Sequence, residues 1–182
     1  MGSHSIPIIG FAAFSGSGKT TLVSGVIPVL RDSGLRIGVI KHAHHNFEID
    51  TPGKDSYELR NAGAEQVLIA SRERMAWVRE SVEEREPALE EMLEIYAGQE
   101  LDLIIVEGFK HEPFTKIEVH RSTIKRPLLA RTDPHIIAVA TDSPDALDVN
   151  VEVLDLDNFT EIAKFILKRM REKTLTLAFR EN

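Results

Sequence analysis

One octapeptide constrains this chain more than any other segment: Ala13-Phe14-Ser15-Gly16-Ser17-Gly18-Lys19-Thr20. It follows an apolar run and opens a stretch of helical periodicity. A strand leading in and a helix leading out turn a glycine-rich loop into a ring of inward-facing amides at the positive end of a helix. That is the arrangement of a phosphate loop, matched here except that alanine replaces the first glycine. Ile6 to Phe14 is nearly continuous in apolar residues, as expected of a central parallel strand buried on both faces. Leu22, Val26, Val29 and Leu30 recur at helical spacing from Lys19 to Asp32, and Gly34 stands where a C-cap ends a helix. Pro28 inside this pattern predicts a kink or an early stop. Arg36 to His42 reads as a second buried strand, completing a right-handed strand-helix-strand unit.

The residue types of the loop specify its chemistry. Gly16 and Gly18 permit positive backbone dihedrals and close approach to oxygen atoms, and Ala13 is tolerated if its φ is negative. Main-chain amides from Ser15 through Thr21, including Gly16, Ser17 and Gly18, are the expected nucleotide contacts. Lys19 would place a point charge on the β- and γ-phosphates, and the Thr20 hydroxyl would ligate a magnesium ion. A second carboxylate is expected at a neighbouring strand end. Glu107, closing the apolar run from Leu101 to Val106, competes for that role with Asp50 and Asp55, which lie on a loop able to fold over a γ-phosphate. Candidate metal ligands are thus Thr20, Asp50 and Glu107, and candidate catalytic residues are Lys19, Asp55 and Glu107. Lys54 is a possible second phosphate clamp. His42, His44 and His45 admit a metal reading, but alternation on an extended chain turns His45 away from the other two; His42 fits better as a donor lining the nucleotide site. Asp142, after Ala140-Thr141, stands where guanine-binding folds often place an acceptor for the base.

The rest of the chain alternates strands and helices, predicting an α/β domain: a mostly parallel sheet flanked by helices, with additional hairpin or edge strands. Ser56 to Ala62 reads as a short helix ending near Gly63, and Gln66–Ala70 with Met75–Arg79 as a hairpin. Glu83 to Ala97 carries Leu89, Met92, Leu93 and Tyr96 on one helical stripe. Lys116–His120 alternates like an edge strand, Ile136–Ala140 and Val151–Leu154 read as buried strands, and Thr160–Met170 as a helix capped by Asp157 or Asn158. The tail from Thr174 to Phe179 fits a strand or disorder. One domain is expected over 6–172, with 1–5 a tag remnant and 173–182 a tail.

A length of 182 residues with 42% hydrophobic content supports one core rather than two. The net charge of -7 supplies no global field for nucleic acid or an anionic membrane, so a polyanion must be held by a local site. Absence of cysteine excludes a disulfide scaffold and a thiolate metal centre. No apolar stretch approaches the roughly 20 residues that span a bilayer. A cytoplasmic protein fits these features.

Three segments carry a resemblance to a known family: Phe11 to Thr21, then Lys41-His42-Ala43-His44-His45 with Asp50-Thr51-Pro52-Gly53-Lys54-Asp55-Ser56-Tyr57, then Val106-Glu107-Gly108-Phe109-Lys110. In order and spacing the chain resembles the molybdopterin-guanine dinucleotide biosynthesis adaptor family, MobB, from Ile6 to about Met170. The resemblance implies a GTP- and magnesium-binding protein with feeble GTPase activity, acting where a guanine nucleotide is attached to molybdopterin. It implies assistance to the nucleotidyltransferase of that pathway and homodimers formed through extended sheet. Carried over by position, Gly16, Gly18, Lys19 and Thr20 would bind phosphate and metal, while Asp50, Lys54, Asp55 and Glu107 would surround the γ-phosphate. The alternative is a small-molecule or nucleotide kinase, with Arg121, Lys125, Arg126 and Arg131 as a phosphate-clamping lid. The hairpin near Arg74 is the expected dimer contact.

Overall fold

The computed structural model describes residues 5–43, 49–81 and 85–178. In chain order its elements are β1 (Pro7–Ala12), α1 (Lys19–Asp32), β2 (Ile37–Lys41), α2 (Asp55–Asn61), β3 (Gln66–Ala70), β4 (Met75–Arg79), α3 (Leu89–Glu94), β5 (Leu103–Glu107), β6 (Lys116–His120), β7 (Ile136–Thr141), β8 (Glu152–Asp155), α4 (Phe159–Arg171) and β9 (Thr176–Leu177). Contacts gather these into two compact units, residues 1–42 with 88–182 and residues 43–87, where the sequence reading draws one domain over 6–172.

The first unit is built on a sheet ordered β2-β5-β1-β6-β7-β8, all parallel. β1 and β5 are buried almost throughout, which is why their sequences are continuously apolar rather than alternating. On one face α1 and α4 pack over Ile9, Phe11, Ile105, Ile117 and Val119 through Leu22, Val26, Ile162 and Ile166. On the other, Leu89 and Leu93 of α3 join Phe109 and Phe114 over Ile8, Ile104 and Val106. The register sets Phe11 opposite Glu107 and Glu107 opposite Lys41, so the carboxyl ends of β1, β5 and β2 lie level. Open parallel sheets bind ligands at such ends.

α1 runs through Pro28 without the early stop that the proline suggested. It ends with the Gly34 N–H donating to the Arg31 carbonyl at 2.8 Å and the Leu35 N–H to that of Leu30 at 3.4 Å, the paired bonds of a glycine-terminated helix.

β6 corrects the expectation of an edge strand: it lies inside the sheet between β1 and β7. Its alternating charges face inward and are satisfied there. Lys116, 1% exposed, donates to the Glu112 carbonyl at 2.6 Å and pairs with Asp133 at 2.8 Å. Glu118 accepts the N–H groups of Leu129 and Ala130 at 2.9 and 2.8 Å. Of the C-terminal segment, whose sequence fits a strand or disorder, Thr176–Leu177 form β9, antiparallel to the start of β1, while Phe179 lies outside the described residues. α3 is shorter than the expected stretch from Glu83, part of which lies outside the described residues, and its N-cap follows Pro87.

The second unit holds α2 and the β3–β4 hairpin, both as expected from sequence. Arg60 ties it together, reaching Asp50 at 3.4 Å and Glu80 at 2.7 Å. Val67 and Val78 are buried across the hairpin, while Leu68, Met75 and Trp77 are exposed.

Candidate functional site

The loop between β1 and α1 takes its shape from local bonds. Gly16 and Gly18 have φ of 82° and 84°, in the left-handed region that other residues avoid. Phe109 and Lys173 are the described non-glycine residues with positive φ, so Ala13 sits where a methyl group is allowed. Ser17 is buried, with its Oγ donating to the Phe14 carbonyl at 2.7 Å and its N–H to the same oxygen at 3.3 Å. Gly18 is the N-cap of α1 and no side chain caps that end. The first turn of the helix therefore offers amides and partial positive charge to an external acceptor.

Beside this loop the strand ends deliver charged groups. Thr20 Oγ1 donates to Glu107 Oε1 at 3.0 Å. The same oxygen stands 3.5 Å from Lys41 Nζ and 4.0 Å from Lys19 Nζ. Burial pushes the Lys19 ammonium below the ordinary lysine value; Glu107 pulls it back up, and Lys41 and Lys110 push it down further. Lys110 Nζ lies 5.6 Å from the centre of the Phe14 ring, and the Arg126 guanidinium 5.9 Å from it. Several cations thus converge on the loop of a chain whose net charge is -7.

His42 closes the β2 end of this cluster. Its N–H donates to the Glu107 carbonyl at 2.8 Å, and its ring stacks on Phe109 with centroids 4.6 Å apart. Gly108 between them has φ 107°, and a Cβ there would meet the Cβ of His42 at 2.6 Å. His44 and His45 lie outside the described residues. Among the described residues no group of three or more His, Cys, Asp or Glu could hold a metal ion.

Lys19, Thr20, Glu107 and His42 are therefore brought together with Ser15, Gly16, Ser17, Gly18 and Thr21. Asp50, Lys54 and Asp55 belong to the second unit. There Asp50 accepts from Ser56 Oγ at 3.0 Å and pairs with Arg60, while Lys54 and Asp55 open α2. Asp142 accepts the Ser122 N–H at 2.8 Å and stands 3.8 Å from Arg121. That N–H, ahead of Arg121, holds its carboxyl below the ordinary aspartate value. Arg121 itself donates from Nε to the Ser17 carbonyl at 3.2 Å. The segment proposed as a kinase lid is thus pinned near both ends, by Asp142 at Ser122 and by Glu118 at Leu129 and Ala130.

Lys110 and Arg121 also join this cluster, although the sequence points to Arg121 only as part of a phosphate-clamping lid and to Lys110 only as part of a family motif. A signal existed for each: Lys110 follows Glu107 by three positions, and Arg121 is the residue that follows β6, the neighbour of β1.

No helix among the described residues is long and apolar enough to cross a membrane. The family model for molybdopterin guanine dinucleotide synthesis protein B matches residues 8–142. A molybdopterin-guanine dinucleotide biosynthesis adapter protein from Escherichia coli strain K12 is 44% identical over 173 residues, covering 94% of this chain and 98% of the relative. Its counterpart in Haemophilus influenzae is 40% identical over 164 residues, covering 90% and 89%. The crystal structure of a molybdopterin-guanine biosynthesis protein B aligns with a TM-score of 0.66 at 32% identity, over 88% of this chain and 98% of the other. That of Bacillus subtilis MobB gives 0.73 at 25% identity, over 90% and 98%. With the phosphate loop, the level strand ends and these likenesses in agreement, the chain belongs to the MobB family of molybdopterin guanine dinucleotide synthesis proteins.

Proposed function

We propose that the first unit binds GTP with magnesium on the loop from Ala13 to Thr20, and that the protein serves as an adapter to the nucleotidyltransferase that builds the guanine dinucleotide form of the molybdenum cofactor. The observation that carries the nucleotide reading is the 3.0 Å contact of Thr20 Oγ1 with Glu107, beside a loop with two left-handed glycines. A hydroxyl and a carboxylate at that separation suit a magnesium ion, which takes one or two protein oxygens and completes its shell with phosphate and water. Such an ion would neutralise charge on the β- and γ-phosphate oxygens. Lys19 and Lys41 share Glu107 as a nearby anion, yet burial, Lys41 and Lys110 together still push the Lys19 ammonium down, which favours a further anion such as a polyphosphate. The guanine preference and the adapter role are supported by the names of the relatives. The chain would work in the cytoplasm as a homodimer.

Hydrolysis is inferred to be slow. Arg121 engages the Ser17 carbonyl, and phosphate-loop GTPases without an arginine on the transferring phosphate turn over at roughly 10⁻⁴ to 10⁻³ per second.

Calorimetric titration of wild type and Lys19→Ala with GTP and ATP, with and without magnesium, tests this. Loss of the lysine's charge-assisted contacts, about 1.5–3 kcal/mol, should weaken GTP binding roughly tenfold to a hundredfold. Equal affinity in both proteins would remove Lys19 from the site, and a preference for ATP would favour a kinase.

A further inference from the structure

We propose that Arg121 and Asp142 form a latch that holds the phosphate loop in its nucleotide-receiving shape, with Arg121 a positioning residue and Asp142 the group that aims it. This rests on the nucleotide reading above. When a loop turns its amides inward around an anion, its carbonyls turn outward and require partners of their own. The Ser17 carbonyl finds one in Arg121 Nε at 3.2 Å, from a residue distant in sequence. The guanidinium also covers Gly18: a Cβ built there would stand 3.2 Å from both Nε and Nη2. At its other end Nη1 lies 3.8 Å from Asp142 Oδ2.

Asp142 does more than supply countercharge. It accepts the N–H of Ser122 at 2.8 Å, fixing the backbone from which Arg121 extends. The loop after β1 is thereby tied to the ends of β6 and β7, its next two neighbours in the sheet. The planar fork of arginine can engage a carbonyl and a carboxylate together, which a lysine ammonium cannot do in a fixed geometry. Loop glycines have many other conformations available, so a brace on the outer carbonyl removes part of the ordering cost that binding would otherwise meet. A residue acting this way affects every ligand gripped at the β-phosphate, with or without a γ-phosphate.

The test combines amide hydrogen exchange of residues 14–20 in nucleotide-free protein with calorimetric Kd values for GDP and GTP, in wild type, Arg121→Ala, Arg121→Lys, Asp142→Asn and the Arg121→Ala/Asp142→Asn pair. Loop exchange should quicken in each variant. Kd should rise for GDP and GTP by the same factor, roughly tenfold in Arg121→Ala. Arg121→Lys should restore only part of this, and the double variant should be no worse than Arg121→Ala alone. Unchanged exchange and affinity in Arg121→Ala and Arg121→Lys would overturn the latch. So would Asp142→Asn that weakens GTP but strengthens xanthosine triphosphate, because Asp142 would then be reading the base. Wild type that binds no nucleotide defeats the nucleotide reading, and quickened exchange in the variants would still report the brace.

Discussion

Glu107 faces a hydroxyl at 3.0 Å and two ammonium groups at 3.5 and 4.0 Å, and so holds together cations that would otherwise repel each other. Lys19 titrates below an ordinary lysine, through burial first and then through Lys41 and Lys110 against the pull of Glu107. A bound phosphate favours the ammonium form. Affinity for GTP should therefore be full below the Lys19 pKa of the free protein and fall as pH rises through it, at a lower pH than a free lysine would dictate. Titrations from about pH 7 to about pH 10 should show this decline in wild type and a flatter profile in Lys19→Arg, whose charge persists; matching profiles would exclude Lys19 as the titrating group. Lys19, Thr20 and Glu107 were legible in the sequence because each sits at the junction of an apolar run and a turn, where local pattern decides position. The bond from Arg121 to the Ser17 carbonyl was not, because that carbonyl lies on a loop far away in the chain, and the residue's place after a strand does not say which group it engages.

At the scale of elements, β6 shows how inward charge hides a core strand. Burial raises the Glu118 pKa above the ordinary glutamate value, against the lowering effect of the Leu129 and Ala130 N–H groups. A carboxyl raised on folding contributes stability that is complete below its unfolded pKa and is lost as pH rises through the folded one. Urea denaturation of wild type and Glu118→Gln between about pH 4 and about pH 7 should find wild type most favoured over the variant at the acid end, the margin shrinking with rising pH. A constant margin would mean that Glu118 titrates like an exposed glutamate. α1, the hairpin and the strands β1, β5 and β7 could be read in advance because periodicity and glycine placement are local. The position of β6 in the sheet could not, since Lys116 and Glu118 are satisfied by Asp133, the Glu112 carbonyl and amides of a later turn. The stripe through Leu89 and Leu93 is helical as its spacing predicts, but the helix begins only after Pro87.

At the scale of the whole molecule, a group of cations gathers around one loop, and the β3–β4 ribbon carries several of the exposed large apolar side chains. The β3–β4 hairpin is a sheet of two strands, with Leu68, Met75 and Trp77 exposed at 63%, 70% and 46%. Open strand edges with such side chains pair with another copy of themselves readily. Light scattering at micromolar concentration should report a dimer for wild type and a monomer for Leu68→Lys/Trp77→Lys; a monomeric wild type would remove the hairpin as a dimer contact. The pairing of β1 carries a different consequence. Its neighbours β5, β6 and β9 all come much later in the chain than β1 itself, the last of them near Leu177. During synthesis the ribosome releases the loop's sequence well before the strands that would give it shape. Under the proposed nucleotide reading, the loop would become competent to capture its ligand only once β5 and β6 have been made and have paired with β1, so the ligand would reward folding of the sheet rather than guide its first steps.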